Sequence, residues 1–373
     1  MQTSLSCVLI ADDLTGACDS AVHFKLRGIQ SAVHLDLDAH QQSTASVHAF
    51  NTETRDADAP EMEQRIRRVA DITSTAKPGI IFKKIDSLLR GNPGREVMVA
   101  LEAFGCDLAI VTPAFPEMGR TVRNGHLEVH GDSTWARLDV AALLRGQGLE
   151  HCTHIAPGTV AAAIERGARA ISLDITAHED LERLVTEALA TGKNILWAGS
   201  GGLASALAGA LFSDNIKREL HSPGTLPVVF CIGSDHPVTA GQIFALRRER
   251  ATSEIHADSN VTASLVNALE KDQHVIFRIP RGQVPNEQLL ILLRNIVGRA
   301  GAMVLSGGDT AATVCRAVAA REIEVADQVV AGLPWGTLRG GLLDGFPVAT
   351  KSGAFGRDAD LIKVADFFTC PKT

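Results

Sequence analysis

The sequence predicts an α/β protein of two domains, each a largely parallel sheet flanked by helices, with an active site in the cleft between them. Three observations predict it. Short apolar runs, each closed by a polar or glycine-rich turn and followed by a helical period, recur along the whole chain. At 373 residues the chain exceeds the roughly 100–200 residues of one ordinary domain. Between about Asp214 and Pro227 it turns polar, with Pro223-Gly224 and Pro227 close together, which reads as a linker.

In the first half, Cys7 to Ala11 reads as a strand before a helix through Cys18–Leu26, and Ile80 to Ile85 precedes a helix starting near Asn92-Pro93. There Asn serves as N-cap and Pro as first helical residue. Leu108 to Thr112 is a third strand, after which Pro113-Ala-Phe-Pro116 forces an extended loop. Arg120–Arg123, Asn124-Gly125 and His126–Val129 read as a hairpin, so His126 and His130 read as surface residues of a strand in preference to metal ligands. A helix is expected over Ala136–Leu144. Asn194 to Ala198 is the last strand, followed by Gly199-Ser-Gly-Gly202. The second half repeats the pattern with Pro227–Ile232, Ala302–Leu305 and Phe346–Thr350. The expected domains are residues 1–218 and 226–373.

A formal charge of −7 gives no electrostatic reason for nucleic acid or an anionic membrane as a standing partner. The first ten residues lack a basic n-region and run into Asp12-Asp13, and no apolar stretch approaches the ~20 residues of a membrane span. Seven single cysteines with no C-x-x-C fit a reducing cytosol, so a cytoplasmic location is expected.

Ligands of open α/β sheets sit outside the carboxyl ends of the strands, where helix N-termini present free N–H groups. This rule selects Asp12 and Asp13, each of which either caps the following helix or faces a ligand. It also selects Lys84, Asp86, Ser87 and Arg90, which place a cation, a carboxylate, a hydroxyl and a guanidinium fork side by side. A hydroxylated acid needs that mixture: Arg pairs with a carboxylate, Lys adds charge, and Asp accepts from hydroxyls. In the second half, Ser306-Gly307-Gly308-Asp309-Thr310 opens an alanine-rich helix whose N–H groups could hold phosphate. Gly233-Ser234 and Lys351-Ser352-Gly353 stand at equivalent positions. No Walker-A or protein-kinase signature occurs. Gly199-Ser-Gly201-Gly-Leu-Ala204 fits the dinucleotide pattern G-x-G-x-x-A, but the acidic residue, Asp235, comes 36 positions on where about 20 is usual, so a tight turn is the preferred reading.

Together these segments resemble the four-carbon acid sugar kinases. The residues that carry the resemblance are Ala11-Asp-Asp-Leu-Thr-Gly-Ala17, Lys83-Lys-Ile-Asp-Ser-Leu-Leu-Arg-Gly-Asn92, Pro113-Ala-Phe-Pro116 with Gly119-Arg-Thr121 and Asn124-Gly125, Gly199 to Ala204, Gly307-Gly-Asp-Thr-Ala311 and Lys351-Ser-Gly-Ala-Phe-Gly356. The resemblance implies ATP-dependent phosphorylation of a terminal hydroxyl of an acid such as threonate, erythronate or a 3-oxo-tetronate, normally with Mg²⁺. It places ATP on Ser234, Gly307, Gly308, Asp309, Thr310 and Gly353. On this reading Lys84, Arg90 and Arg120, with Asp12 and Ser87, hold the acid, and Asp13 or Asp86 takes the hydroxyl proton. Asp309 is a weaker candidate for that role. The stretch after Gly131 departs from the family, going through Asp132-Ser-Thr-Trp135 where relatives carry an Asp-Pro. The expected partners are a sugar acid and ATP, with a homodimer left open. The alternatives are an NAD-dependent dehydrogenase using the Gly199 loop and a non-catalytic sugar-acid-binding protein.

Overall fold

The computed structural model describes residues 6–38, 43–131, 136–212, 226–256, 261–279, 284 and 286–369. The expected linker core and the divergent stretch Asp132–Trp135 lie outside the described residues. The chain forms two compact units, Met1–Ser31 with His40–Ile216, and Ala32–Ala39 with Lys217–Thr373.

The first unit holds β1 (Cys7–Ala11), then, past β2 (Ser31–His34), β3 (Val47–Asn51), β4 (Ile80–Lys84) and β5 (Leu108–Thr112). After a three-stranded excursion of β6 (Arg120–Arg123), β7 (His126–Val129) and β8 (Leu138–Asp139), it continues with β9 (Cys152–Ile155), β10 (Ala170–Leu173) and β11 (Ile195–Gly199). The seven strands of its main sheet lie in the order β3-β1-β4-β11-β5-β10-β9, and every pairing is parallel. Helices cover parallel sheets on both faces, so such strands read as unbroken apolar runs rather than alternating ones. Cys7 to Ala11 is wholly buried for this reason.

Several local expectations are met residue for residue, among them β1, β5 and the β6–β7 hairpin. The hairpin turn has Asn124 at φ 49° and Gly125 at φ 76°, the left-handed pair that a two-residue turn requires. The expected helix over Ala136–Leu144 is corrected to Val140–Gly146. Leu138 and Asp139 pair with β7 first, and the Asp139 side chain then caps the helix by accepting from Ala142 N at 2.8 Å. Helix Pro93–Ala103 begins where expected, but the Asn92 side chain does not cap it. Gln147 Oε1 instead accepts from Gly94 N at 2.9 Å.

The second unit is built on β12 (Val228–Ile232), β13 (Thr252–His256), β14 (His274–Arg278), β15 (Ala302–Ser306), β16 (Glu322–Val330), β17 (Leu333–Arg339) and β18 (Pro347–Lys351). The strands β13-β14-β12-β15-β18 are parallel; β17 and β16 then add antiparallel. The last strand of this unit is β2, borrowed from early in the sequence, which pairs antiparallel with β16 through Ala32, Val33 and His34. A single sequence boundary cannot express that exchange.

One ionic feature lies inside the first unit. Lys83, fully buried on β4, meets Glu96 Oε2 at 3.1 Å and donates to the Lys84 carbonyl at 2.8 Å. Thr54 Oγ1 donates to the other Glu96 oxygen. Burial pushes the Glu96 carboxyl upward against the pull of Lys83. Removing one partner leaves the other charge buried and alone. Lys83→Met is therefore expected to cost about 3–5 kcal/mol of unfolding free energy, and Lys83→Met with Glu96→Leu to recover most of it, as read by urea denaturation.

Candidate functional site

The carboxyl ends of β1, β3 and β4 deliver a carboxylate cluster organised by one guanidinium. Arg55, four residues past β3, donates through Nε to Asp12 Oδ2 and through Nη1 to Asp13 Oδ2, both at 2.7 Å, and its Nη2 lies 3.6 Å from Asp86 Oδ1. Burial disfavours the Arg55 charge, but the three aspartates outweigh it and raise its pKa. Burial likewise opposes ionisation of Asp12, and Arg55, Lys83 and Lys84 overcome it to hold that carboxyl below its usual range. Asp12 Oδ1 is enclosed without a hydrogen-bond partner.

Asp13 serves as a cap as well as a cluster member. Its Oδ1 accepts from Gly16 N at 2.7 Å at the start of helix Leu14–Lys25, and its Oδ2 also takes the Thr15 hydroxyl at 3.1 Å. Asp86 is the most heavily engaged. Its Oδ2 accepts from Leu88 N, Arg90 N and Arg90 Nε, and its Oδ1 from Arg90 Nη2 at 2.7 Å. Burial raises its pKa, but Arg90, Arg55 and Lys84 more than reverse this and drive it far below the carboxylate range. The fork of Arg90, half-exposed, is thus already spent on Asp86.

Lys84 sits beneath these groups, buried, donating to the Ile85 carbonyl at 2.9 Å. Room for its amino group depends on Gly16, where an added Cβ would lie 2.9 Å from Lys84 Nζ and 2.6 Å from Asp13 Oδ1. Ser87 is buried in the same loop. Arg120, at the start of β6, is buried and donates to the Met118 carbonyl. Arg120 belongs to this group electrostatically: burial lowers its pKa, and Asp86 and Asp19 support its charge.

Sequence reasoning missed Arg55 and Asp19. The signal for Arg55 was the rule already used for the others, a polar residue just past a strand. That strand was not recognised because His48 and Asn51 interrupt its apolar run. Asp19 lies inside a helix, where a lone acid looks like a solvated face.

In the second unit three loops converge. An added Cβ on Gly353 would lie 2.1 Å from Ser234 Oγ, one on Gly233 2.1 Å from Thr310 Oγ1, and one on Gly307 3.8 Å from Ser234 N. Gly307 stands at φ 105° ahead of helix Gly308–Ala317, with Asp309 exposed in its first turn. Consecutive N–H groups at a helix start, in a crevice with little room for side chains, make a nest of the kind able to take an anion. Lys351 lies fully buried under it, donating to Thr239 Oγ1 at 3.1 Å, Ser352 O at 2.8 Å and Gly353 O at 3.2 Å. Among the described residues no three His, Cys, Asp or Glu side chains converge to hold a metal. His126 and His130 bond instead to the Asn124 carbonyl and the Thr121 hydroxyl.

Comparison with known proteins follows this division. Residues 7–207 match the family of the sugar-binding N-terminal domain and residues 229–361 that of the nucleotide-binding C-terminal domain. The chain is similar to a D-threonate kinase of Bordetella bronchiseptica, 31% identical with 96% of each chain covered. The chain belongs to the four-carbon acid sugar kinase family. A D-erythronate kinase of Heliobacterium modesticaldum is 27% identical, again with 96% of each chain covered. A crystal structure from Salmonella typhimurium, at 19% identity, superposes with a TM-score of 0.77 over 98% of this chain and 99% of the other, which shows a shared fold. In this family member the cation-carboxylate cluster falls inside the sugar-binding domain and the glycine nest inside the nucleotide-binding domain.

Burial pushes the Lys351 ammonium down to about 7, with Asp360 resisting. A lysine neutral when folded near pH 8 and charged when unfolded weakens folding below pH 7, and this penalty fades as pH rises toward 10.5. Unfolding of wild type and Lys351→Met across pH 6–10 should show wild type gaining on the variant between about pH 7 and 10; parallel curves would place the Lys351 charge elsewhere.

Proposed function

We propose that this protein is an ATP-dependent kinase that phosphorylates a terminal hydroxyl of a four-carbon sugar acid of the threonate, erythronate or 3-oxo-tetronate type. The observation that carries the reading is the convergence of Ser234, Gly307 to Thr310 and Gly353 into one nest, in a chain matched over nearly its full length by named sugar-acid kinases. ATP phosphates lie against the nest, with Asp309 at its rim. The donor set suits Mg²⁺ only as an ion carried on those phosphates with water and at most one or two carboxylates. Bound there it neutralises charge on the transferring group. Residues 1–218 supply the acid site and residues 226–373 the nucleotide site, in a cytoplasmic enzyme.

Lys84 and Arg120 meet the carboxylate of the acid, with Arg90 and Arg55 at the edge of the same group. Asp12, through its unpartnered Oδ1, and Ser87 face the hydroxyls. Of the two candidate bases, Asp13 is favoured over Asp86. Every Asp86 oxygen already accepts from Arg90, and a carboxylate held so far down is a poor proton acceptor. Asp13 has the larger exposed surface of the two, 11% against 7%, and Oδ1 accepts a single hydrogen bond. Asp86 therefore aims Arg90 and Arg55.

Asp13→Asn is expected to lower kcat roughly 10²–10⁴-fold with little change in KM for the acid, whereas Asp86→Asn should act mainly on that KM. An ADP-release assay against four-carbon acids separates the two. Gly353→Val should weaken ATP binding at least tenfold in a thermal-shift titration. Stabilisation by NAD and not by ATP or ADP would favour the dehydrogenase, and acid binding without ADP formation a non-catalytic sugar-acid binder.

A further inference from the structure

Asp19 has an environment unlike that of Asp12, Asp13 and Asp86. It projects from the second turn of helix Leu14–Lys25 and is 4% exposed, and both its oxygens are enclosed with no hydrogen-bond partner. A buried carboxylate without donors is costly when charged. The wall in front of it is the start of helix Gly201–Leu211, where an added Cβ on Gly201 would lie 2.5 Å from Asp19 Oδ2 and 2.7 Å from the Phe115 ring.

The charged groups that act on Asp19 are Lys84 from β4, Arg120 from β6 and Asp13 from the start of its own helix. Lys83 of β4 is turned to Glu96. His48 of β3 bonds to the Ala45 carbonyl. His23, one turn on, senses Glu117 and His178. Helix Gly201–Leu211 carries no ionisable side chain. Burial, with Asp13, pushes Asp19 up to about 6 while Lys84 and Arg120 pull it down.

The charges of the cluster balance in a telling way. Asp12, Asp13 and Asp86 are taken by Arg55 and Arg90, while Lys84 and Arg120 are the cations that act on Asp19. With Lys83 set against Glu96 and Asp19 ionised, four carboxylates face the four remaining cations; with Asp19 protonated, one positive charge remains for an anionic ligand. We propose that Asp19 is a positioning residue that takes up one proton when the sugar acid binds, so that the pocket matches the charge of its ligand. A solvent proton adds to an Asp19 oxygen and no other bond changes. The inference rests on the acid-site reading above: a carboxylate docked on Lys84 and Arg120 cancels the pull that kept Asp19 ionised. The protonated Asp19 is then one of the groups that set preference for an acid over a neutral sugar.

The test is isothermal titration of the full chain with D-threonate and D-erythronate at pH 7, in two buffers of different ionisation enthalpy, beside Asp19→Asn. Wild type is expected to take up between half and one proton per acid and Asp19→Asn essentially none. KM for the acid in wild type should rise up to about tenfold per pH unit above pH 6 with kcat little changed, and the variant should be flat. Binding without proton uptake in wild type, or equal uptake in the variant, overturns the role of Asp19 and leaves the kinase reading intact. Failure of both acids to bind overturns the acid site and this inference with it. Should Asp19→Asn not fold, Asp19→Ala and the wild-type proton count decide the matter.

Discussion

The Arg55 guanidinium is the constraint on which the first site depends. Asp12, Asp13 and Asp86 come from two different loops and would repel one another at the ends of adjacent parallel strands. A planar cation with a fixed fork of donors holds them together. The arrangement also limits chemistry. Asp12 and Asp86, bound to guanidinium groups, lose basicity, and the more securely such a carboxylate is held, the less fit it is to accept a proton. Asp86 stands at one extreme, chelated by Arg90, and Asp19, with no donor at all, at the other. One cluster thereby contains carboxylates of opposite tendency, Asp86 held ionised and Asp19 pushed toward its protonated form.

The second unit has the opposite arrangement, with backbone N–H groups gathered where few side chains fit. Gly233 and Gly353 are required by contact, since a Cβ at each would press on a neighbouring loop, and Gly307 by its backbone, which stands at φ 105°. The cation of the family motif, Lys351, is turned beneath the nest toward the carbonyls of Ser352 and Gly353. It braces the loop that frames the nest, which leaves backbone N–H groups and the start of helix Gly308–Ala317 as the donors facing the crevice.

Much of this was legible in the sequence because parallel strands buried on both faces leave unbroken apolar runs, and the residue just past each run is a site candidate by geometry alone. Asp12, Asp13, Lys84 and Asp86 were picked out as candidates this way, as were Ser234, Gly307 and Gly353. Partnership was not legible. Nothing in Arg90 signals that its fork is spent four residues away, and nothing near Arg55 signals partners more than 30 residues distant in sequence. The passage of β2 into the second unit was equally hidden, since a short strand carries no mark of which sheet completes it. Asp19 was invisible because a helix with no strong polar face gives no cue that its single acid points inward.

Asp19 also bears on the Gly199 to Ala204 segment, whose spacing matches a dinucleotide fingerprint. In such a fingerprint glycine is needed so that a pyrophosphate can approach the backbone. Here the space a side chain at 201 would need is filled by the Asp19 carboxylate and Phe115, and that at 202 by the Ala114 carbonyl, while Ser200 Oγ donates to the same carbonyl at 2.7 Å. Protein atoms alone account for both glycines. A carboxylate facing that helix start would also repel a pyrophosphate, whereas it complements Lys84 and Arg120 beside it. Where glycine in a dehydrogenase admits a cofactor, Gly201 in this protein leaves room for the Asp19 carboxylate and the Phe115 ring.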